Sequence, residues 1–355
     1  MMSKNLFITN CHSTYFKWTV MCELMKKISN YIGIDVSKRT LDTVLYNTDL
    51  GKKSLHLKVS NTKDGFKEII NWLKLQKVKL NKTFFCMEFT GIYSDDKASF
   101  LNENKLSYTR VSPLHMKRSM ELTRGKNDKI DAYYIAKYCH THKDELISKK
   151  APMQVIKDLK RLLSERIRLV KLKASNKAFI AEKKLHVNNQ AVIRAKQLLE
   201  IYETQINEIE SEMESILNSN SDIHTNYTLM RSVIGIGLIT AIMIIAYTNN
   251  FLNISDARKF ASYCGVAPFE HSSGTSIKGK TRVSPFANKK IKGVLSNGAR
   301  AAVQFAPELK RYCERKLNEG KEYGVVMNAV KFKLINRVFA TVKRGTPYVV
   351  LKQAG

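Results

Sequence analysis

The stretch Tyr31-Ile-Gly-Ile-Asp-Val36 places a carboxylate inside an otherwise apolar run. A second run, Phe84-Phe-Cys-Met-Glu-Phe89, has the same pattern. Short apolar runs of this kind predict buried β-strands, and a carboxylate there is costly unless a cation or hydrogen bonds compensate it. Asp35 and Glu88 are therefore the first candidate site residues.

A third segment supplies two more acids. Asp128 and Asp131 lie three residues apart in Asn127-Asp-Lys-Ile-Asp-Ala132, so on a helix they share one face. With Asp35 and Glu88 they would meet at one end of a sheet and hold two divalent metals, Mg²⁺ or Mn²⁺, for phosphodiester cleavage. The alternative is that Asp128 caps its helix and Asp131 is a surface acid. The competing acids are assigned to surface or turn positions: Asp42, Asp95 and Asp96.

The elements around these acids predict a mixed α/β domain. Strands are predicted at 31–36, 41–47, 54–59, 83–89 and 108–111, and helices at 63–77, 95–104 and 128–140. Three strands, helix, strand, helix, strand, helix is the element order of an RNase H-like fold. The order of the strands within the sheet is not readable from the sequence.

The chain divides into predicted regions with different character. Residues 1–24 are predicted to be an N-terminal extension because Met25-Lys-Lys-Ile-Ser resembles a natural start. The RNase H-like domain follows at 25–150, a helical or coiled-coil segment at 151–220, a second, mostly α-helical unit at 228–345 and a tail at 346–355. The long helices predict an antiparallel pair or a coiled coil, and through it a homodimer or homotetramer. Ser219 to Asn226 is predicted to be a polar break.

The charge balance predicts a polyanionic partner. Lys and Arg number 60 against 31 Asp and Glu, which leaves +29 at pH 7, and nucleic acid is the default partner for such an excess. An anionic membrane surface is the runner-up, but the sequence offers no basic amphipathic anchor. The most apolar stretch, Val233 to Tyr247, is too short to span a bilayer. Six scattered cysteines without a CxxC pair predict a reducing, cytoplasmic compartment, and the DNA partner predicts association with the nucleoid.

Basic residues gather in the second half. Between Glu270 and Glu308 there is no acidic residue, and a phosphate-contacting surface is preferred over a merely solvated face. Gly235-Ile-Gly237 before an apolar helix predicts a helix-hairpin-helix element whose amides grip phosphate, against the alternative of a tight turn before a core helix. The predicted nucleic-acid-binding residues are Lys126, Gly235, Gly237, Lys278, Lys280, Arg282, Lys289, Lys290 and Lys292.

These motifs resemble a known family. Gly33-Ile-Asp-Val-Ser-Lys38, Glu88-Phe-Thr-Gly-Ile-Tyr93 and Lys126-Asn-Asp-Lys-Ile-Asp-Ala132 resemble the DEDD transposases of bacterial insertion sequences, which carry a RuvC-like nuclease domain and are related to Piv-type DNA invertases. Further stretches resemble the family's C-terminal transposase domain: Ser232 to Ala241, Phe260 to Pro268 and His271 to Ser276. The resemblance covers about 26–145 and 228–345.

The resemblance implies a mechanism. It makes Ser273 the nucleophile, with Ser272 and Ser276 as local alternatives, and gives a covalent phosphoserine and a free 3′ hydroxyl for strand exchange. A serine hydroxyl needs activation, which metals held by Asp35, Glu88, Asp128 and Asp131 would supply in a composite site. The family further implies guidance by a structured RNA. Where relatives often have Gly-Asn, this chain has Ala287-Asn288, so the conformation of that loop is an open point.

The predicted function is therefore an insertion-sequence transposase or recombinase that acts on double-stranded DNA. One alternative is a RuvC-like metal-dependent endonuclease, such as a junction resolvase, that uses water as the nucleophile. It would leave no covalent intermediate and gives no reason for the second motif set. The other alternative is a non-catalytic nucleic-acid-binding relative, which the presence of all four acids and Ser273 argues against.

Overall fold

The computed structural model describes residues 28–47, 54–88, 92–111, 116, 127–145, 153–182, 190–273, 277–284 and 287–349. The predicted extension at 1–24, Lys126, Ser276 and the tail from 350 onward lie outside these residues. Contacts between Cα atoms divide the chain into two compact units, Met1–Pro152 and Met153–Gly355.

A five-stranded sheet forms the centre of the first unit. Its strands are β1 (Asn30–Val36), β2 (Thr40–Asn47), β3 (Ser54–Ser60), β4 (Thr83–Glu88) and β5 (Ser107–Val111), and its helices are α1 (Lys63–Leu75), α2 (Ile92–Glu103) and α3 (Asp128–Thr141). The strand order is β3-β2-β1-β4-β5. β1 pairs antiparallel with β2 and parallel with β4, β3 pairs antiparallel with β2, and β4 pairs parallel with β5. The predicted mixed α/β fold is confirmed, at bounds close to the predicted ones.

Alternation along β1 separates two cores. Ile32 and Ile34 face the cluster that contains the buried side of α1, whereas Tyr31 belongs to the cluster that contains α3. Gly33 has the same parity as Tyr31 and lies directly under α3. A Cβ at Gly33 would clash with the carbonyl oxygen of Ala132 and lie 2.6 Å from the Ala136 nitrogen. The missing side chain therefore allows α3 to pack directly on β1, which brings the start of α3 to the end of β1.

The second unit is mostly helical, as predicted. Its helices are α4 (Gln154–Glu182), α5 (Gln190–Asn218), α6 (Ser221–Arg231), α7 (Leu238–Thr248), α8 (Ala257–Tyr263), α9 (Lys289–Phe305), α10 (Pro307–Asn318) and α11 (Tyr323–Arg344). The strands β6 (Pro268–Ser273) and β7 (Ile277–Val283) form an antiparallel pair. This hairpin was not predicted.

The helices α4 and α5 run antiparallel. Arg166 pairs with Glu210 at 2.6 Å and Lys173 pairs with Glu203 at 2.7 Å, so the positions on α5 descend as those on α4 ascend. The first half of α4 and the second half of α5 enter the same hydrophobic cluster as α6, α7, α9 and α11. Part of the predicted middle segment is thus core of the second unit.

The predicted polar break from Ser219 to Asn226 is shorter than predicted, and it comprises only Ser219 and Asn220. The helix α5 ends at Asn218 and α6 begins at Ser221. Asn220 caps α6, because its side chain accepts a hydrogen bond from the Ile223 backbone N–H at 3.1 Å. Short polar residues favour helix N-caps as much as loops, which explains the error. Within the described residues, no helix combines the length and apolar character that a bilayer crossing requires.

Candidate active site and nucleic-acid interface

Three carboxylates from two distant segments meet in the first unit. Asp35 lies one residue before the end of β1, and Asp128 and Asp131 lie in the first turn of α3. One carboxylate oxygen of each residue lies within 4.8 Å of the other two. Asp35 and Asp131 are half-buried and Asp128 is exposed. Hard oxygen donors at this spacing fit Mg²⁺ or Mn²⁺.

Glu88 lies beside this group at the end of the neighbouring strand. It is the last residue of β4, which runs parallel to β1 with Met87 opposite Ile34. It has the same parity as Cys86, which packs on the α3 side of the sheet. Glu88 is outside the three-carboxylate group, but its charge acts on Asp35.

The start of α3 favours negative charge. Asn127 is the N-cap, and its side chain accepts a hydrogen bond from the Lys129 backbone N–H at 3.0 Å. The alternative that Asp128 caps the helix is therefore wrong. Acids in the first turn gain from the helix dipole, which favours Asp128 and Asp131 at this position beside Asp35.

Burial and four neighbouring acids raise the pKa of Asp35. This pKa rises from 3.8 to about 6, with burial as the largest cause and the charges of Glu88, Asp128, Asp131 and Asp42 following in decreasing order. A nearby divalent cation would oppose every one of these effects, because it favours the charged carboxylate. The electrostatics of the cluster therefore fit a bound cation.

Asp42 is buried within a strand, contrary to the sequence prediction. It lies on β2 directly opposite Asp35 and is only 3% exposed, so its assignment to a surface or turn position is wrong. Its Oδ1 lies 2.8 Å from His56 Nε2 and its Oδ2 lies 3.2 Å from Lys58 Nζ. Asp96 is exposed, as predicted, and the side chain of Asp95 lies outside the described residues.

Lys58 and His56 on β3 were missed as well. The Lys58 ammonium also lies 3.9 Å from Asp128 Oδ2, so it links Asp42 to the acid cluster. The signal for Asp42 was present, since Thr40-Leu-Asp-Thr-Val-Leu-Tyr46 is again an acid in an apolar run. No local signal marks the two β3 residues, because their position follows from the β2–β3 register.

Ser273 belongs to the second unit and the four acids belong to the first. It is the last residue of β6, where its backbone pairs with Ile277, and Ser272 pairs with Lys278. The structure describes the backbone and not the side chains of these serines, and Ser276 lies outside the described residues.

The basic residues of α9 lie at an unfavourable end of the helix. Lys289 and Lys290 are exposed in the first turn, where the helix dipole disfavours cations. Asn288 caps the helix through hydrogen bonds from the backbone N–H groups of Lys290 and Ile291 at 3.1 and 3.4 Å. An anion at this end would stabilise both the dipole and the lysines. Three predicted residues occupy alternate positions of β7 and are described by backbone alone: Lys278, Lys280 and Arg282.

The two glycines of the predicted helix-hairpin-helix element have different structural roles. Gly235 has φ +95° and approaches α9 so closely that a Cβ would lie 2.9 Å from the Ala302 Cβ and clash with the Gly298 carbonyl. This agrees with the tight-turn alternative. Gly237 is the exposed N-cap of α7 and makes no side-chain cap, so the helix start is open. The Ala287 Cβ fills the space beside Gly265, whose φ is +66°.

Comparisons with known proteins identify the class. Residues 32–182 match the family model described as a DEDD transposase of the IS110 type, and residues 227–314 match the transposase IS116/IS110/IS902 family. A pilin gene-inverting protein of Moraxella bovis is 23% identical over 329 residues, which cover 90% of this chain and 97% of that protein. The transposase for insertion sequence element IS1111A of Coxiella burnetii is 25% identical over 223 residues, 55% of this chain and 59% of that protein.

A 43.6 kDa protein of insertion element IS110 from Streptomyces coelicolor is 27% identical over 152 residues, 43% of this chain and 37% of that protein. The first match covers the acid cluster and the second covers the β6–β7 hairpin. The chain belongs to the IS110 family of transposases, enzymes that cleave and rejoin DNA.

Proposed function

We propose that this chain is the transposase of an insertion sequence and that it exchanges DNA strands through a serine nucleophile, Ser273, assisted by divalent metals. The observation that carries the proposal is the meeting of Asp35, Asp128 and Asp131 within 4.8 Å, with Glu88 at the end of the adjacent parallel strand. Matches to transposase families in both the N-terminal part of the chain, 32–182, and the C-terminal part, 227–314, support it.

The RNase H-like, or RuvC-like, identity of the first domain is part of this proposal. Its support is the element order, three strands followed by alternating helices and strands, and a candidate ligand at the end of each of the two central parallel strands. That end of a sheet is where an open α/β fold presents its ligands. Asp42, His56 and Lys58 add a polar row on β2 and β3 behind the acids.

The proposed reaction needs both the acids and the serine. Asp35, Glu88, Asp128 and Asp131 would hold Mg²⁺ or Mn²⁺, which polarises the scissile phosphate and lowers the cost of forming an alkoxide. Ser273 Oγ would lose its proton and attack phosphorus, and the 3′ oxygen would leave and take up a proton. The products are a phosphoserine linked to a 5′ end and a free 3′ hydroxyl. In rejoining, a 3′ hydroxyl attacks the phosphoserine and the serine leaves.

The partners follow from the same proposal. Double-stranded DNA is the proposed substrate, in keeping with the similarity to a pilin gene-inverting protein of Moraxella bovis. The charge of +29 supports a second nucleic-acid partner, a structured guide RNA. We also propose a homodimer or homotetramer joined through the helical middle, and a cytoplasmic, nucleoid-associated location. RNA guidance would be tested by sequencing RNA that co-purifies: one discrete species from the element's flank supports it, and random cellular RNA argues against it.

Ser273→Ala is the test of the proposed chemistry. The variant should lose the covalent protein–DNA adduct, detected after denaturing electrophoresis, and keep DNA binding. Ser272→Ala and Ser276→Ala are matched controls that should keep the adduct. An unchanged adduct in Ser273→Ala would refute the serine assignment, and metal-dependent cleavage without any adduct would favour the water-using endonuclease.

A further inference from the structure

One lysine in the second unit is buried without a counter-ion. Lys331 on α11 is only 8% exposed, and it has no hydrogen-bond or ion-pair partner among the residues that the structure describes. Lysine is rarely buried unless it is paired. Its ammonium nitrogen is not among the fully enclosed unpaired atoms, so it keeps some contact with solvent.

Two further cations act on Lys331 from the neighbouring helix. Lys292 and Arg300 lie eight residues apart on α9, which packs against α11, and such spacing keeps them along one side of a helix. Burial lowers the pKa of Lys331, and the charges of Lys292 and Arg300 lower it further. Lys292 and Arg300 therefore both repel Lys331, and no carboxylate of the described residues pairs with any of the three cations.

The cluster lies beside the segment that leads into the serine hairpin. Asn328, one turn before Lys331, donates a hydrogen bond to the Val266 carbonyl at 2.5 Å. The Lys292 Cδ lies 3.9 Å from the point where a Gly265 Cβ would be. Pro268, the first residue of β6, comes two residues after Val266. The helices that carry the cations thus hold the segment from which β6 begins.

We propose that Lys292, Arg300 and Lys331 together bind the phosphodiester backbone of the nucleic acid that reaches the β6–β7 hairpin, with Lys331 as the buried contact. A phosphate would supply the missing negative charge and offset the repulsion that Lys292 and Arg300 exert on Lys331. The ligand class rests on the proposed function, whereas the shortage of anions is a property of the free protein.

Binding of labelled nucleic acid as a function of salt tests this site. Wild type and Lys331→Met would be compared by fluorescence anisotropy with a DNA duplex of about 30 base pairs and with an RNA hairpin of similar length, in EDTA to prevent cleavage. We expect Lys331→Met to bind about 5–10-fold more weakly at physiological salt and to reduce the log–log salt slope by about 0.9, the value of one phosphate contact. Lys331→Arg should restore the slope.

Lys333→Met is the matched control. Lys333 lies two residues away on α11, with its Nζ 4.5 Å from the centre of the Tyr312 ring, so the variant removes the same charge from a different environment. Its salt slope should stay at the wild-type value. A loss in the DNA arm, the RNA arm or both supports the site and identifies the strand that it binds.

Two results would overturn the proposal: an unchanged slope for Lys331→Met in both arms, or equal losses for Lys331→Met and Lys333→Met, which would mean that only net charge matters. If Lys331→Met fails to fold, Arg300→Met at the exposed edge must show the smaller slope, and an unchanged slope there overturns the proposal equally. Because the assay contains no metal and requires no adduct, its failure is separate from failure of the Ser273 chemistry.

Discussion

The acid cluster of the first unit and the cation cluster of the second are opposite in charge but similar in construction. Asp35 is crowded by Glu88, Asp128 and Asp131, as Lys331 is crowded by Lys292 and Arg300. In both cases packing holds like charges together at a cost to the free protein. The comparison fits the two proposals made above, that the acid cluster binds a divalent cation and that the cation cluster binds phosphate.

The clusters differ in how their chain segments are brought together. The acids depend on the parallel pairing of β1 with β4 and on the close packing of α3 over Gly33. The cations depend on two helices, α9 and α11, that pack together in a hydrophobic core. The acid site is therefore more sensitive to a single backbone contact, and Gly33→Ala tests this difference.

Asp131→Asn should have the largest effect. Losing one ligand charge should reduce metal-dependent DNA cleavage by on the order of 1000-fold, because metal stabilisation of the transition state amounts to several kcal/mol. DNA binding should be unchanged. Cleavage of a plasmid that carries the element's ends measures the rate.

Asp64→Asn is the control for that variant. Asp64 is likewise an acid in the first turn of a helix, α1, but it is exposed and pairs with Lys67 at 2.9 Å. Its substitution should leave cleavage within about twofold of wild type, since surface pairs contribute little. Equal losses in both variants would show that the acid cluster has no special role.

Gly33→Ala should destabilise the first unit and leave the stability of the second unit unchanged. Its Cβ would force α3 away from β1, which should destabilise the first unit by about 2–4 kcal/mol and move Asp128 and Asp131 away from Asp35. Urea unfolding followed by circular dichroism should show an earlier first transition and an unchanged second one. Gly293→Ala on α9, where nothing lies within 4 Å of the new Cβ, should instead stabilise by about 0.5–1 kcal/mol.

Asp35→Asn should stabilise the metal-free protein, although it removes a site residue. Folding raises the pKa of Asp35 from 3.8 to about 6, so the folded state holds the proton more tightly and stability falls as pH rises through this interval. Two pKa units correspond to about 3 kcal/mol, which solvent screening reduces to about 1–2 kcal/mol above pH 6.

Thermal unfolding in EDTA over a pH series measures this effect. The advantage of Asp35→Asn should be full above about pH 7, shrink through pH 6 and vanish near the unfolded pKa of 3.8. In excess Mn²⁺ the order should reverse, because only the wild type gains from the cation. A variant that is less stable than wild type throughout the series would argue against like-charge crowding.

Lys331→Met should show the smallest effect, with the same sign. Removing a buried unpaired ammonium should stabilise the nucleic-acid-free protein by about 0.5–1 kcal/mol. Lys333→Met should destabilise by about 0.5 kcal/mol through loss of the contact with Tyr312. Opposite shifts in the unfolding midpoint would confirm that crowding of like charges destabilises both clusters. A destabilised Lys331→Met would limit this effect to the acid cluster.

Much of the first unit could be predicted because its signals are local. An acid in an apolar run identified Asp35 and Glu88, and it would have identified Asp42 if the rule had been applied evenly. The distance between Asp35 and Asp131 could not be predicted, because it depends on strand pairing and on α3 packing over Gly33. Lys58 could not be identified from the sequence for the same reason, since only the β2–β3 register places it opposite Asp42.

The second unit was harder to predict. Its helices follow from apolar periodicity, but the β6–β7 hairpin lies in a polar, basic stretch without a strong strand pattern. From the sequence alone, Lys331 resembles an ordinary charged residue of an amphipathic helix. Its burial depends on the packing of α9 against α11, which no local pattern specifies.

Metal binding is the most direct measurement of the central claim that the converged carboxylates form a cation site. Mn²⁺ would be titrated into wild type, Asp131→Asn and Asp64→Asn at about pH 7.5, where Asp35 is charged, and free Mn²⁺ followed by electron paramagnetic resonance. We predict saturable binding by wild type and Asp64→Asn, and its loss in Asp131→Asn. Equal binding by all three proteins, or binding by none of them, would contradict the account.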